Sequence, residues 1–309
     1  MRILLTGASS FTGYWFADAL RRAGHEIVAP LRGGAAGGAD LLRSERLARL
    51  DRAGVQLVPE CPFGSDPFLV LAASGFDVLC HHAAEVGDYR SPDFDIAGAV
   101  AANTASLRQV IEVIGKRATK GIVLTGSFFE ADEGAGTTPR RAFSPYAVSK
   151  SLTADVVRYR CQEAGVPFAK FVIPHPFGPL EQPRLGAYLA KTWRGGGTAE
   201  IKTPAYIRDN IHVGLLAAAY ERFVSEDSAP DRQLNPSGYI ESQGAFVERI
   251  AREVRQRTGL ACGVTLLKQQ EFPEPLIRIN TDCAAHYVSS WDEAAAWDAY
   301  AAVMSGAFN

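Results

Sequence analysis

Thr6 to Gly13 reads TGASSFTG. It closes a short apolar run, RILLTG (2–7), and opens a stretch in which Phe11, Trp15, Ala19 and Ala23 recur at four-residue steps before Gly24. The run predicts a strand, and the stretch predicts a helix from Phe11 to Ala23 that ends at a glycine cap. Closely spaced glycines between a strand and a helix are the mark of a turn that cradles the pyrophosphate of a dinucleotide, because the helix N-terminus presents oriented amide donors there. Gly7 lets the backbone bend tightly, and Gly13 lets the helix lie close to the strand. The middle position, where the chain approaches the phosphates, is Ser10 instead of glycine. Serine is small, and its hydroxyl is able to donate to a phosphate oxygen.

Further strands follow at HEIVAPL (25–31), VQLVPE (55–60), FDVLCHHAA (76–84) and KGIVLTGS (120–127), with helical stretches between them. This alternation predicts an α/β fold with a doubly wound, mostly parallel sheet. The glycine-rich segment RGGAAGGAD (32–40) reads as a loop after the second strand. After about residue 170 the texture changes: IPHPFGPLEQPR (173–184) is crowded with prolines, and later segments are short and irregular. The expected organisation is a dinucleotide-binding domain over 1–172 and a smaller substrate-binding lobe over 173–309 that interleaves with the sheet. Near the end, Ser290 and Glu293 form a capping-box pattern that opens a helix through Trp297 and Met304.

Composition excludes several classes of function. The chain has 309 residues, 47% hydrophobic and 21% charged, enough to bury a large core. A formal net charge of -2 and a pI near 6.3 offer no general attraction for nucleic acid. Cysteines 61, 80, 161, 262 and 283 have no CxxC spacing, so they read as buried small hydrophobes in a reducing cytoplasm, with no zinc or other metal site and no disulfide framework. Only three apolar residues separate Arg2 from Thr6, which is not a signal-peptide pattern, and no apolar run reaches membrane-spanning length.

The candidate chemistry lies in three places. The second strand runs out as Pro30, Leu31, Arg32, with no carboxylate to accept the ribose hydroxyls of NAD; the Arg32 fork suits the 2′-phosphate of NADP. In FSPYAVSKSLTADVVRYR (143–160), Ser-Pro starts a helix that puts Tyr146 and Lys150 on one face. A phenol has a pKa of roughly 10, and a neighbouring ammonium lowers it, making tyrosine a usable proton donor and acceptor. In LTGSFFE (124–130), Ser127 ends the fifth strand at the edge where such sheets bind ligands, placed to hydrogen-bond a substrate oxygen.

TGxxxxxG at the N-terminus, HHAA at the fourth strand, Asn103, Ser127, YAVSK, FGP at 177–179 and RDNIHV at 208–213 together resemble the extended short-chain dehydrogenase/reductases, the nucleotide-sugar epimerase/dehydratase family. The resemblance spans nearly the whole chain and implies a Rossmann sheet, a nicotinamide cofactor, a nucleotide-sugar substrate and a homodimer. It matches Ser127, Tyr146 and Lys150 to the catalytic triad, and Gly7, Ser10, Phe11, Thr12 and Gly13 to the cofactor turn. Glu60 and Cys61 fall where the adenine is met, and Ala83 and Ala84 where the chain passes the cofactor, which Tyr146 and Lys150 also touch. Glu85, Ser127, His175 and Arg208 fall at substrate positions. Arg208 stands where an arginine holds the diphosphate, and His175 near a family asparagine beside the sugar. Asn103 reads as structural or water-ordering, and His82 as packing.

One departure narrows the reaction. Nucleotide-sugar dehydratases carry an acidic pair directly after the Ser/Thr, because eliminating water needs an extra acid and base; here those places are Phe128 and Phe129. Hydride transfer at a sugar carbon is left. The absent acid after the second strand and Arg32 favour an NADPH-dependent 4-ketoreductase. The alternative is a 4-epimerase with retained NAD. Further alternatives are a reductase of a non-sugar ketone and a non-catalytic cofactor sensor.

Overall fold

Ile3, Leu4 and Leu5 in β1 (Arg2–Thr6) are fully buried, the pattern of a strand covered on both faces. The structure is a computed structural model that describes residues 1–34, 40–227, 231–271 and 273–307. Of the expected glycine-rich loop at 32–40, residues 35–39 lie outside the described residues. The chain continues through α1 (Phe11–Arg22), β2 (Glu26–Pro30), α2 (Leu41–Arg52), β3 (Gln56–Val58), α3 (Asp66–Ala73), β4 (Val78–His81), α4 (Ile96–Asn103), α5 (Leu107–Gly115) and β5 (Ile122–Ser127). Next come β6 (Ala135–Gly136), α6 (Pro145–Ala164), β7 (Phe168–Ile173), β8 (His175–Phe177), α7 (Leu185–Arg194), β9 (Thr198–Ile201), β10 (Ile207–His212), α8 (Val213–Ser225) and β11 (Arg232–Leu234). The last third holds β12 (Pro236–Ser237), β13 (Tyr239–Ser242), α9 (Gln243–Thr258), β14 (Gly263–Leu266), β15 (Ile277–Ile279), β16 (Asp282–Cys283), α10 (Ala284–Tyr287) and α11 (Glu293–Ser305).

These elements form two compact units. The first comprises Met1–Glu133, Arg140–Ile173 and Ala217–Asn235. Its seven-stranded sheet runs β3-β2-β1-β4-β5-β7-β11 with every neighbouring pair parallel. The order reverses between β1 and β4, the place where such sheets open a crevice at their carboxyl ends. Leu4, Val28, Leu79 and Ile122 pack against Phe68, Val110, Ile111 and Val157 in one core. A separate aromatic cluster joins Phe16, Phe171, Tyr220 and Phe223, with Phe16 and Tyr220 stacked at 3.9 Å.

The second unit comprises Gly134–Pro139, Pro174–Leu216 and Pro236–Asn309. It carries a sheet in the order β13-β10-β15-β6, with β8 also paired to β10. Its core gathers Leu189, Trp193, Phe246, Val247, Ile250, Trp297 and Tyr300. The irregular texture expected of this part of the sequence gives way to helices, of which α9 is the longest, 16 residues with Phe246, Val247, Ile250, Ala251 and Val254 buried. The predicted helix through Trp297 and Met304 forms as α11, but its cap is Asp292, not Ser290. The Asp292 carboxylate accepts the Ala295 amide at 3.0 Å, and Glu293, one residue inside the helix, accepts the Tyr239 hydroxyl instead of closing a capping box. Of the cysteines, 61, 80, 161 and 262 are buried as expected, but Cys283 is exposed.

Candidate active site

The candidate positions of the first unit sit at or just beyond the carboxyl ends of parallel strands or at the start of α1, except Tyr146 and Lys150, which lie in the first turns of α6. The turn after β1 is shaped by two glycines that nothing else fits. Gly7 has φ +77°, and a Cβ there would lie 2.8 Å from the Ala83 nitrogen; a Cβ at Gly13 would lie 2.1 Å from the Gly7 carbonyl oxygen. Phe11 and Thr12, the first residues of α1, are buried. Ser10 is the N-cap of α1: its hydroxyl oxygen accepts the Gly13 amide at 3.1 Å. The same hydroxyl and that of Thr12 lie 3.1 and 3.0 Å from His82 Nε2. Ser10 therefore closes the turn internally, a use for its oxygen that the sequence reading, which aimed it at phosphate, did not contain.

The end of β4 is tied to this turn by two neutral histidines. Thr6 Oγ1 meets His81 Nδ1 at 3.0 Å and accepts the amides of His82 and Ala83 at 3.1 and 3.0 Å. The other ring nitrogen of His81 donates to the Asn103 carbonyl at 3.0 Å, which leaves Nδ1 as the acceptor for Thr6. Burial drives the His81 pKa down to about 4 and, helped by the Lys150 charge, the His82 pKa down to about 3. Asn103 fixes the loop beyond Ala84: its Oδ1 accepts the Glu85 amide at 2.7 Å, while Nδ2 donates to Thr153 at 3.3 Å. Asn103 is thus structural. His82 is the residue whose place the sequence understated, since nothing in HHAA says that its ring reaches back across the sheet to Ser10 and Thr12.

After β2, Arg32 donates to Glu85 Oε2 at 2.6 Å, so the residue expected at a 2′-phosphate and one expected at the substrate hold each other. After β3, Glu60 is exposed with φ +51°, and Cys61 turns its side chain into the core.

Ser127 and Lys150 are buried, and Tyr146 is half-buried. Ser144 caps α6 by accepting the Ala147 amide at 3.1 Å, and Pro145 stands in the first turn, where its missing N–H costs nothing. One turn separates Tyr146 from Lys150. The Lys150 ammonium is buried and donates to the Thr125 carbonyl at 2.7 Å, two residues before Ser127 on β5. Burial lowers the Lys150 pKa, Glu130 opposes that shift and Lys170 adds to it. The Ser127 hydroxyl oxygen accepts the Phe129 amide at 3.2 Å, which leaves its own hydrogen to be donated elsewhere. Tyr89 and Phe94 pack edge-on around the Tyr146 ring at 5.9 Å each, and Phe129 lies between Phe128 and Phe143. Among the described residues, no group of three or more His, Cys, Asp or Glu side chains could hold a metal.

His175 and Arg208 belong to the second unit. His175 Nδ1 lies 3.3 Å from Asn210 Oδ1 across the β8–β10 pair. Arg208 is buried, rests over the Tyr206 ring and donates to Glu274 Oε2 at 2.9 Å. Its register partner on β15 is a second buried arginine, Arg278, which the sequence reading missed because only the pairing of β10 with β15 sets the two side by side.

The family model described as NAD dependent epimerase/dehydratase matches residues 3–235. The chain belongs to this family. It is an extended short-chain dehydrogenase/reductase and an NAD-dependent enzyme. No curated protein matches the sequence. Among solved structures, the fold is similar over 100% of both chains to UDP-glucuronic acid 4-epimerase from Bacillus cereus in complex with UDP-glucuronic acid and NAD, with a TM-score of 0.75 at 16% identity. It is similar over 100% of both chains to UDP-glucose 4-epimerase from Thermotoga maritima with UDP-glucose, at 0.72 and 15%. A dTDP-glucose 4,6-dehydratase from Streptomyces venezuelae gives 0.70 at 16%, over 97% of this chain and 96% of that one. At these identities the likeness is one of fold. The glycine turn fits the family's dinucleotide: its two close-packed glycines admit no side chain, and the N-terminus of α1 follows it directly. No described helix is long and apolar enough to cross a membrane.

Proposed function

We propose that this family member is a nucleotide-sugar 4-epimerase working with NAD, the alternative that the sequence set beside the 4-ketoreductase. The observation that carries this reading is the Arg32–Glu85 pair at 2.6 Å. NADPH preference rests on the absent acid after the second strand and on a guanidinium open to a 2′-phosphate, and only the second ground changes. Here that guanidinium, although mostly exposed, already faces a carboxylate, whose charge adds a modest opposition to a further anion. With the case for NADPH weakened, the case for a reductase that exchanges its cofactor weakens too. The epimerase neighbours solved with NAD support the same choice.

Bound at the glycine turn, the dinucleotide supplies the hydride acceptor and donor. Gly7, Gly13 and the first turn of α1 hold its pyrophosphate. Tyr146 takes the proton from the sugar 4-hydroxyl and returns it, with Lys150 one turn away favouring the phenolate. Ser127, its oxygen occupied by the Phe129 amide, donates its hydrogen to the same sugar oxygen. Arg208 holds the substrate diphosphate. Elimination of water lacks its acid and base, because Phe128 and Phe129 stand in those places and Glu130 is buried against the Ser127 amide and Lys170. Leu152, Val156 and Tyr159 form an exposed apolar stripe along α6 that supports a homodimer, to be checked by sedimentation.

The test is to incubate the enzyme with UDP-, dTDP- and GDP-linked hexoses and hexuronic acids while following proton NMR and the nicotinamide absorbance. The expected result is formation of the 4-epimer of one substrate with no net change in absorbance and no need for NADPH. Stoichiometric consumption of NADPH with a 4-keto sugar would replace this reading by the reductase.

A further inference from the structure

Behind Ser127 lies a buried set of charges that the proposed chemistry does not use. Glu130, Glu133 and Lys170 are all buried. The Lys170 ammonium donates to Glu130 Oε2 at 2.6 Å and to Glu133 Oε1 at 2.5 Å. The other oxygen of Glu133 accepts Gln233 Nε2 at 2.9 Å and Asn235 Nδ2 at 3.0 Å, which anchors the set to β11 and the residue after it. The other oxygen of Glu130 accepts the backbone amide of Ser127 at 2.7 Å. Gly126 makes the approach possible: a Cβ there would lie 2.5 Å from Lys170 Cε and 3.2 Å from Glu130 Oε1.

Burying three charges is expensive, and apolar side chains of similar volume would satisfy packing alone at least as well. What apolar side chains would not do is accept the Ser127 amide. Nor would they balance Lys150, whose buried ammonium sits two residues back along the same strand, on the Thr125 carbonyl. With Lys150 counted, the cluster holds two cations, Lys150 and Lys170, against two anions, Glu130 and Glu133. We infer that Glu130, clamped by Lys170 and Glu133, is a positioning residue that fixes the Ser127 turn and supplies the negative charge that keeps Lys150 an ammonium. Its value for turnover rests on the reading of Ser127 and Lys150 as catalytic.

The charged and titratable groups that act on Lys150 are His81 and His82 from β4, Glu130 after β5 and Lys170 from β7, with Tyr146 one turn away on its own helix. Both histidines are neutral near pH 7, so Glu130 and Lys170 set the field. In Glu130→Gln the new amide faces a conflict, because a carbonyl turned to Ser127 turns its NH2 group toward the Lys170 ammonium.

The experiment needs no substrate. Lysine 13Cε labelling follows the Lys150 titration, assigned by its loss in Lys150→Arg, and hydrogen exchange follows the Ser127 amide. In Glu130→Gln the Lys150 midpoint is expected to fall by about half a unit or more, the direction for losing an opposite charge, and the Ser127 amide to exchange about tenfold faster. Mere loosening of the site would admit water and move the midpoint up toward the ordinary lysine value, so a midpoint that rises or stays overturns the inference. If Glu130→Gln does not fold, Glu130→Asp keeps the charge but draws it back from Ser127. Faster exchange with an unmoved midpoint is then expected, and unchanged exchange overturns the inference. Turnover is measured separately: full activity in Ser127→Ala would remove the catalytic reading of Ser127 and leave the titration result standing.

Discussion

Removing one oxygen, in Tyr146→Phe, is expected to lower turnover by on the order of a hundredfold or more while NAD binding stays nearly intact, as loss of a general acid and base requires. Steady-state rates beside fluorescence titration of the cofactor check this, and a Phe variant that keeps most of its activity would remove the assignment. The histidines at the end of β4 give a second residue-level outcome. His81 and His82 fold with pKa values of about 4 and about 3 against 6.5 when free, so below pH 6.5 the unfolded chain takes up protons that the folded chain refuses. Their stabilising contribution is full above pH 6.5 and is lost progressively as the pH falls toward those folded values. His82→Gln should therefore flatten the pH dependence of stability between pH 6 and 4 by about 1.4 kcal/mol per pH unit, the slope for one proton. Urea unfolding at several pH values measures it; parallel slopes for variant and wild type would contradict the assigned burial. Gly7, Gly13, Ser127, Tyr146 and Lys150 were legible because each type has a local reason for its place. The Arg32–Glu85 pair was not, since the two are 53 positions apart and meet only when β2 and β4 flank β1.

At the scale of elements, the start of α1 depends on two residues with separable roles. Ser10→Ala removes the cap on the Gly13 amide and should cost about 1 kcal/mol of stability. Gly13→Ala drives a methyl to 2.1 Å from a backbone oxygen, which has no flexible end to swing away. The expected result is a loss of several kcal/mol or failure to fold, read by thermal melting, and a well-folded Gly13→Ala protein with native melting behaviour would refute this geometry. Apolar runs and periodicity placed β1, β2, β3, β5 and α1 within two residues of where they lie, because a buried parallel strand and an amphipathic helix each write their own repeat; β4 ends three residues earlier than expected, at His81. It did not find α9, whose apolar residues are spread among arginines and glutamates, nor the Asp292 cap, which wins over Ser290 by sitting at the residue that flanks the helix.

For the molecule as a whole, the binding of a nucleoside diphosphate is the property to measure. Arg208 holds Glu274 at 2.9 Å, so an incoming diphosphate competes with a carboxylate. Arg208→Ala should weaken UDP binding by roughly 1.5–3 kcal/mol, the range for hydrogen bonds to charged groups, whereas Glu274→Gln should strengthen it several-fold by removing the competitor. Calorimetric titration of both variants decides, and unchanged affinity in both would take Arg208 out of the diphosphate site. The sequence by itself determined the parallel α/β class and singled out the glycine turn and Ser127, Tyr146 and Lys150 as candidates, because strand runs, glycine spacing and a one-turn separation on a helix are local properties. Only the tertiary structure decided which charges are spoken for. Arg32 with Glu85, Arg208 with Glu274, and Glu130 with Lys170 and Glu133 are each set by strand order, register or loop closure, and a one-residue change of register would turn Lys170 or Arg208 to the other face of its sheet. A charge reads the same in sequence whether water or a carboxylate faces it; burial makes that difference a matter of several kcal/mol for Lys170, Glu130 and Arg208, and its lack makes it far smaller for the exposed Arg32.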